Sequence, residues 1–216
     1  MGYLDIYKDW IENDCFDKSI RDELRHIASE KEIEDRFYKE LEFGTGGLRG
    51  IMGAGTNRLN KYTIGKVTLG LGNYLIDSYG MDVCESRGVV IGFDTRNNSK
   101  SYAQVTADVL SGLGIRVYLM KNARPTPQLS FSVPYYNALA GVVITASHNP
   151  KEYNGYKVYD EYGGQLVPSQ ADQVIRFVNN VKDYRLINFA GNDSLISIID
   201  NTDAFVEEVF KQQRIK

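Results

Sequence analysis

Apolar positions change their period along this chain, and each change marks a different kind of element. From residue 3 to residue 41 they recur at helical spacing: Leu4, Ile6, Trp10 and Ile11, then Ile20, Leu24 and Ile27 after Asp17-Lys18-Ser19, then Ile33, Phe37, Tyr38 and Leu41. This predicts helices with one buried stripe each and charges on their outer faces. A long helix is expected from Tyr62 to Tyr79 on Ile64, Val67, Leu71, Leu75 and Ile76, closed by Gly80. Its Gly65, Gly70 and Gly72 each lower intrinsic helix stability by up to about 1 kcal/mol and suit close packing on a sheet.

Beyond this helix, short unbroken apolar runs alternate with helical stretches. Gly88 to Asp94 reads as a buried strand, Ser99 as the N-cap of a helix through Leu113, and Ile115 to Met120 as the next strand. Pro125-Thr126-Pro127 opens a helix to about Tyr136, and Ala138 to Thr145 is a third strand. Asn154-Gly155 reads as a tight turn, and Lys157 to Val167 as a hairpin around Glu161-Tyr162-Gly163-Gly164. Pro168 begins a helix through Val181, Ser194 to Ile199 is one more strand, and Thr202 to Lys216 restarts a helix. Strand, helix and strand joined by short loops argue parallel pairing with right-handed crossovers. The expected fold class is α/β, a mixed, mainly parallel sheet with helices on both faces (three-layer α/β/α), preceded by amino-terminal helices.

Composition narrows the function classes. At 216 residues and 43% hydrophobic content the chain can bury a substantial core, and we read one domain plus a tail. A net charge of −3 with no basic block argues against a nucleic-acid surface, whereas a small anion needs only a local cluster of cations. Cys15 and Cys84 form neither a disulfide framework nor a metal motif, which favours a reducing, cytoplasmic setting. The charged amino terminus lacks an apolar signal region, and no run approaches the roughly 20 apolar residues of a membrane span. His26 stands apart from any second His or Cys and reads as a surface or capping histidine.

Two stretches carry candidate chemistry. Phe43 to Gly55, FGTGGLRGIMGAG, holds six glycines and one cation, Arg49; it fits neither the P-loop nor the dinucleotide pattern, leaving a phosphate loop and a flexible connection both open. Thr145 to Gly155, TASHNPKEYNG, follows the third strand and presents the hydroxyl of Ser147 beside His148. In extended backbone these adjacent side chains point apart, and no G-x-S-x-G elbow is present, so a Ser-His hydrolase is disfavoured. A phosphorylated serine, with about −1.5 to −2 charge, needs cations more than a strong base. Arg49, Arg96 and Lys157 are the candidates, and His148 can relay a proton. Arg96 reads equally as a cap, Asn154 as a turn residue, and Lys157, taken alone, as a solvated strand residue.

Thr145-Ala146-Ser147-His148-Asn149-Pro150, with Asn154-Gly155-Tyr156-Lys157 downstream, resembles the phosphoserine loop of the α-D-phosphohexomutases, the phosphoglucomutase and phosphomannomutase family. Gly44 to Gly50, GTGGLRG, is similar to that family's amino-terminal active-site loop, where the arginine faces the phosphoserine. The resemblance runs from about Leu41 to Val167. It implies that Ser147 donates and retrieves a phosphoryl group, that Arg49 and Lys157 stabilise it in transfer, and that His148 assists proton movement. It further implies phosphate or substrate contacts from Thr45, Gly46, Arg49, Arg96, Asn149 and Lys157, Mg²⁺ on a phosphoserine oxygen of Ser147, and glucose 1,6-bisphosphate as activator and intermediate.

The implied substrates are glucose 1-phosphate and glucose 6-phosphate. Phosphomannomutase or phosphopentomutase activity, or a non-catalytic sugar-phosphate-binding module, are the alternatives. The family's metal loop carries closely spaced aspartates, and this chain has no Asp-x-Asp pair. The resemblance therefore implies the first of four domains, with little or no turnover alone and the remaining domains as partners. Residues 1–42 are expected as a helical extension, 43–190 as the phosphoserine domain and 191–216 as a connection toward a second domain.

Overall fold

The structure, a computed structural model, describes residues 2–44 and 46–214. Helices α1 (Tyr3–Glu12), α2 (Lys18–Arg25) and α3 (Glu30–Phe37) open the chain where the apolar spacing predicts them. Their stripes converge on Trp10, Phe16, Leu24 and Phe37, with Tyr62 of the next helix closing the cluster. Trp10 stacks on Phe16 at 4.3 Å between ring centroids and meets Phe37 and Tyr62 edge-on. Arg36 ties this layer to the body, pairing with Glu23 and Glu32 and donating to the Ala54 carbonyl.

Much of the glycine-rich stretch is strand. Phe43–Gly44 (β1) and Gly47–Ile51 (β2) form an antiparallel pair, and β2 runs antiparallel to β6 (Tyr153–Tyr159) in the register Leu48↔Tyr156, Arg49↔Gly155. Asn154-Gly155 is therefore strand and not turn. A Cβ at Gly155 would sit 2.7 Å from the Thr145 carbonyl oxygen and 2.8 Å from that of Leu48, so the glycine serves the close approach of neighbouring strands.

The remaining strands are β3 (Val89–Phe93), β4 (Val117–Met120), β5 (Ala140–Ile144) and β7 (Ile196–Ile199), giving the sheet order β1-β2-β6-β5-β3-β4-β7. Strands β5, β3, β4 and β7 are mutually parallel, while β1, β2 and β6 are antiparallel to their neighbours. The sheet is thus mixed with a parallel centre, as expected. Helices α4 (Lys61–Tyr79), α6 (Ser99–Gly112) and α8 (Pro168–Asn180) pack on one face around Leu71, Leu110, Val174, Ile91 and Tyr156. On the other face α7 (Thr126–Tyr135) packs through Leu129 and Val133 onto Val90 and Val143, and α9 (Thr202–Arg214) leans on α7.

Several local expectations are corrected. Gly70 gives α4 its close contact with α8, not with the sheet: a Cβ there would lie 2.6 Å from the Val178 Cα. A short helix, α5 (Met81–Arg87), follows Gly80; its charged sequence buries only Cys84 and carries little apolar pattern. Ser99 is the first residue of α6 and not its cap, because its Oγ is drawn 2.6 Å onto Asp94 Oδ1. The hairpin expected over 157–167 reduces to a single bridge, Tyr159↔Gln165. Among the described residues no helix is long and apolar enough to cross a membrane.

Candidate active site

Chain connections from β3 and β5 leave in opposite directions across the sheet, β3 toward β4 and β5 toward β6. The crevice between their carboxyl ends is the switch point where open α/β sheets bind ligands. Asp94, Thr95 and Arg96 follow β3, and Thr145 to Asn149 follow β5, so these two loops meet there. A hollow of about 530 Å³ opens at this point, lined by Asp94, Thr95, Arg96, Asn97, Ser147, Asn149 and Lys151.

Asp94 joins the two loops. Its Oδ1 accepts the Arg96 amide at 2.9 Å and the Ser99 hydroxyl, while its Oδ2 accepts the Thr145 hydroxyl at 2.6 Å. Thr145 Oγ1 in turn accepts the Ser147 amide at 3.0 Å. Behind them, buried Asn154 donates to Ser99 Oγ and to the Asn97 carbonyl. Ser147 itself has a left-handed backbone, φ 56°, which an L side chain rarely adopts. The extended backbone assumed from sequence is therefore corrected, and the turn leaves the Ser147 side chain exposed.

Lys157 Nζ donates to Ser147 Oγ at 2.9 Å. Burial, and then the nearby charge of Arg49, hold its ammonium below the ordinary lysine range. Arg49 stands opposite Gly155 in the β2–β6 ladder, and Lys157 lies two residues further along β6, so both cations share one face of the sheet. Arg49 Nη1 also donates to Asn149 Oδ1 at 2.9 Å, fixing the far end of the Ser147 loop. Phosphoseryl oxygens at Ser147 would thus meet two cations from adjacent strands.

The other predicted residues fall differently. Arg96 is engaged with main-chain carbonyls of the loop: Nη1 with Pro150 and Tyr153, Nη2 with Ser147 and Asn149. His148 is exposed, and its ring makes no hydrogen bond among the described residues. Gly46 lies in the β1–β2 turn, where a Cβ would face Gln165 Nε2 at 3.6 Å, and Thr45 lies outside the described residues. Sequence reasoning assigned no role to Asp94 or Thr145. Their signal was a carboxylate and a hydroxyl at the carboxyl ends of strands that prove to be neighbours. Among the described residues no group of three His, Cys, Asp or Glu is arranged to hold a metal ion. The donor set does not fit a self-contained Mg²⁺ site.

Comparison with known proteins bears on the family and the fold. Residues 40–185 match the model of the phosphoglucomutase/phosphomannomutase alpha/beta/alpha domain I. The chain is 43% identical over 172 residues to a phosphoglucomutase of Staphylococcus epidermidis and 42% identical over 177 residues to one of Staphylococcus haemolyticus. These alignments take in 80% and 82% of this chain but 30% and 31% of those proteins, so the chain spans about 30% of their length.

Among solved structures, a Thermus thermophilus protein provisionally assigned as a phosphomannomutase superposes with a TM-score of 0.69 at 28% identity. The superposition covers 81% of this chain and 36% of that one. The open form of Paramecium parafusin, a phosphoglucomutase, shares the fold at 17% identity and a TM-score of 0.62, over 81% of this chain and 35% of its own. With a family model over residues 40–185, a matching fold and the Ser147 loop at the switch point, the chain belongs to the phosphoglucomutase/phosphomannomutase family, as its α/β/α domain I.

Proposed function

We propose that this chain is the phosphoserine-bearing domain of a phosphohexomutase that interconverts glucose 1-phosphate and glucose 6-phosphate through glucose 1,6-bisphosphate. The observation that carries the reading is Lys157 Nζ at 2.9 Å from Ser147 Oγ, with Arg49 on the same face. Phosphoryl transfer depends mainly on positioning and charge stabilisation, and this arrangement supplies both. In the forward step the bond from phosphorus to Ser147 Oγ breaks as one forms to a sugar hydroxyl oxygen. Lys157 and Arg49 offset the charge on the transferring group, and exposed His148 takes the hydroxyl proton. The reverse step at the other hydroxyl returns a phosphoryl group to Ser147.

The remaining domains of a longer protein complete this reading, supplying sugar recognition and the ligands that Mg²⁺ needs beyond the phosphoseryl oxygen. The 216-residue chain alone is then expected to show little or no mutase turnover. The residue bounds 1–42, 43–190 and 191–216 for extension, domain and connection belong to the same proposal, and a reducing cytoplasmic setting suits its two free thiols.

The test is peptide-resolved mass spectrometry of the longer protein, purified with phosphatases inhibited, before and after glucose 1-phosphate is added. Phosphate on the Ser147 peptide that exchanges with substrate is the expected result. An unmodified Ser147 during measured turnover would remove it from the reaction and favour a loop that binds phosphate without carrying it.

A further inference from the structure

We propose that Arg96 is a positioning residue: its guanidinium holds the Ser147 loop in place through four main-chain carbonyls and is not a ligand of the phosphate. The inference rests on reading Ser147 as the phosphoryl carrier.

The four acceptors are the carbonyl oxygens of Ser147, Asn149, Pro150 and Tyr153, at 2.6, 2.7, 3.0 and 3.2 Å. They run from Ser147, in the loop after β5, to Tyr153, the first residue of β6. A guanidinium has five N–H donors in a rigid fork. All four Nη hydrogens are taken by these carbonyls, and Nε is paired by charge with Asp94 Oδ2 at 3.4 Å, so the forked end of the guanidinium has no hydrogen left for an anion. Asp94 also accepts the Arg96 amide, so one carboxylate fixes both the backbone and the charged end of this arginine. The Arg96 side chain is 15% exposed, whereas Arg49, with a single side-chain bond to Asn149, stands in solvent.

Holding the loop by its carbonyls has a chemical purpose. The left-handed Ser147 is a strained conformation that persists only when its surroundings impose it. Its amide is held by Thr145 and its carbonyl by Arg96, on either side of the strained φ. A lysine cannot reproduce four directed bonds from one ammonium. Arg96→Lys therefore keeps the charge and loses the clamp, which separates the two roles.

The experiment uses the 216-residue chain labelled with ¹⁵N and titrated with inorganic phosphate. The Arg49 Nε–Hε signal is expected to shift while that of Arg96 stays in place; an Arg96 shift as large as that of Arg49 overturns the proposal. Hydrogen exchange is then compared in Arg96→Lys. The hydrogen-bonded amides of Ser147, Asn149 and Tyr153 are expected to exchange at least about 10-fold faster, with those of β3 and β5 unchanged. Unaltered loop exchange overturns the proposal. If neither arginine responds to phosphate, the phosphoryl-carrier reading loses support, and the clamp itself is still decided by the exchange data. Should the variant fail to fold, the wild-type Arg96 Nη hydrogens decide: four resolved, slowly exchanging signals are expected, and a single averaged signal contradicts the clamp.

Discussion

Thr145 Oγ1 donates to Asp94 Oδ2 at 2.6 Å and accepts the Ser147 amide at 3.0 Å, so one hydroxyl links the end of β3 to the left-handed Ser147. Thr145 is itself 5% exposed, so both links are made by a buried side chain. Replacing it by valine keeps the shape and removes both hydrogen bonds. Thr145→Val is expected to destabilise the chain by about 1–3 kcal/mol, read from urea unfolding, with Thr145→Ser recovering most of the loss. Equal stability of the two variants would mean that the hydroxyl is dispensable.

Ser147 is exposed and contributes little packing. In the longer protein Ser147→Ala is expected to abolish turnover in a coupled assay while unfolding stability changes by no more than about 0.5 kcal/mol. Retained turnover would exclude Ser147 as the phosphoryl carrier.

Lys157 makes stability depend on pH. Burial first, and the Arg49 charge second, hold its ammonium below the ordinary lysine range in the folded chain. Between the depressed and the ordinary value the unfolded chain binds the proton more readily, so stability rises with pH across that window. Below it the charged side chain opposes folding in full. Lys157→Met is therefore expected to gain stability relative to wild type at about pH 7 and to lose that advantage above about pH 10.4, the unperturbed lysine value. The same difference at both pH values would contradict the assignment.

Gly155 has no room for a side chain between Thr145 and Leu48. Gly155→Ala is expected to destabilise the fold by about 1–3 kcal/mol, as overpacking does, and to displace Arg49 from Lys157. Thermal unfolding at wild-type values would show that the strands yield more easily than their spacing implies.

Trp10 is 1% exposed and touches Phe16, Phe37, Tyr62 and Tyr184. Trp10→Ala is expected to cost about 3–5 kcal/mol if the amino-terminal helices unfold together with the sheet. Circular dichroism during urea unfolding checks this: a separate early transition would show the helices melting alone.

Period was enough to find the three amino-terminal helices, the long α4 and the parallel strands β3, β4 and β5, because each buries a continuous stripe or run. It failed where burial and sequence part company. Strand β2 is rich in glycine, and its pairing with β6 depends on residues far away in the chain. Asn154-Gly155 carries turn chemistry yet lies within a strand, since the fold needs the space that glycine leaves. At the site, Ser147, Arg49 and Lys157 were singled out together only by the resemblance to the family's two loops, and the sheet brings them to one face. The clamp of Arg96 and the relay through Asp94 and Thr145 were not legible, because both are hydrogen bonds between segments whose adjacency only the sheet order creates.

The bond from Arg49 to Asn149 spans 100 residues, and the β2–β6 pairing beneath it is of similar range. During synthesis the arginine leaves the ribosome long before the loop it steadies. No nascent chain short of β6 can assemble both cations around Ser147, so this cluster arises late and all at once, as a property of the closed sheet and not of any local peptide.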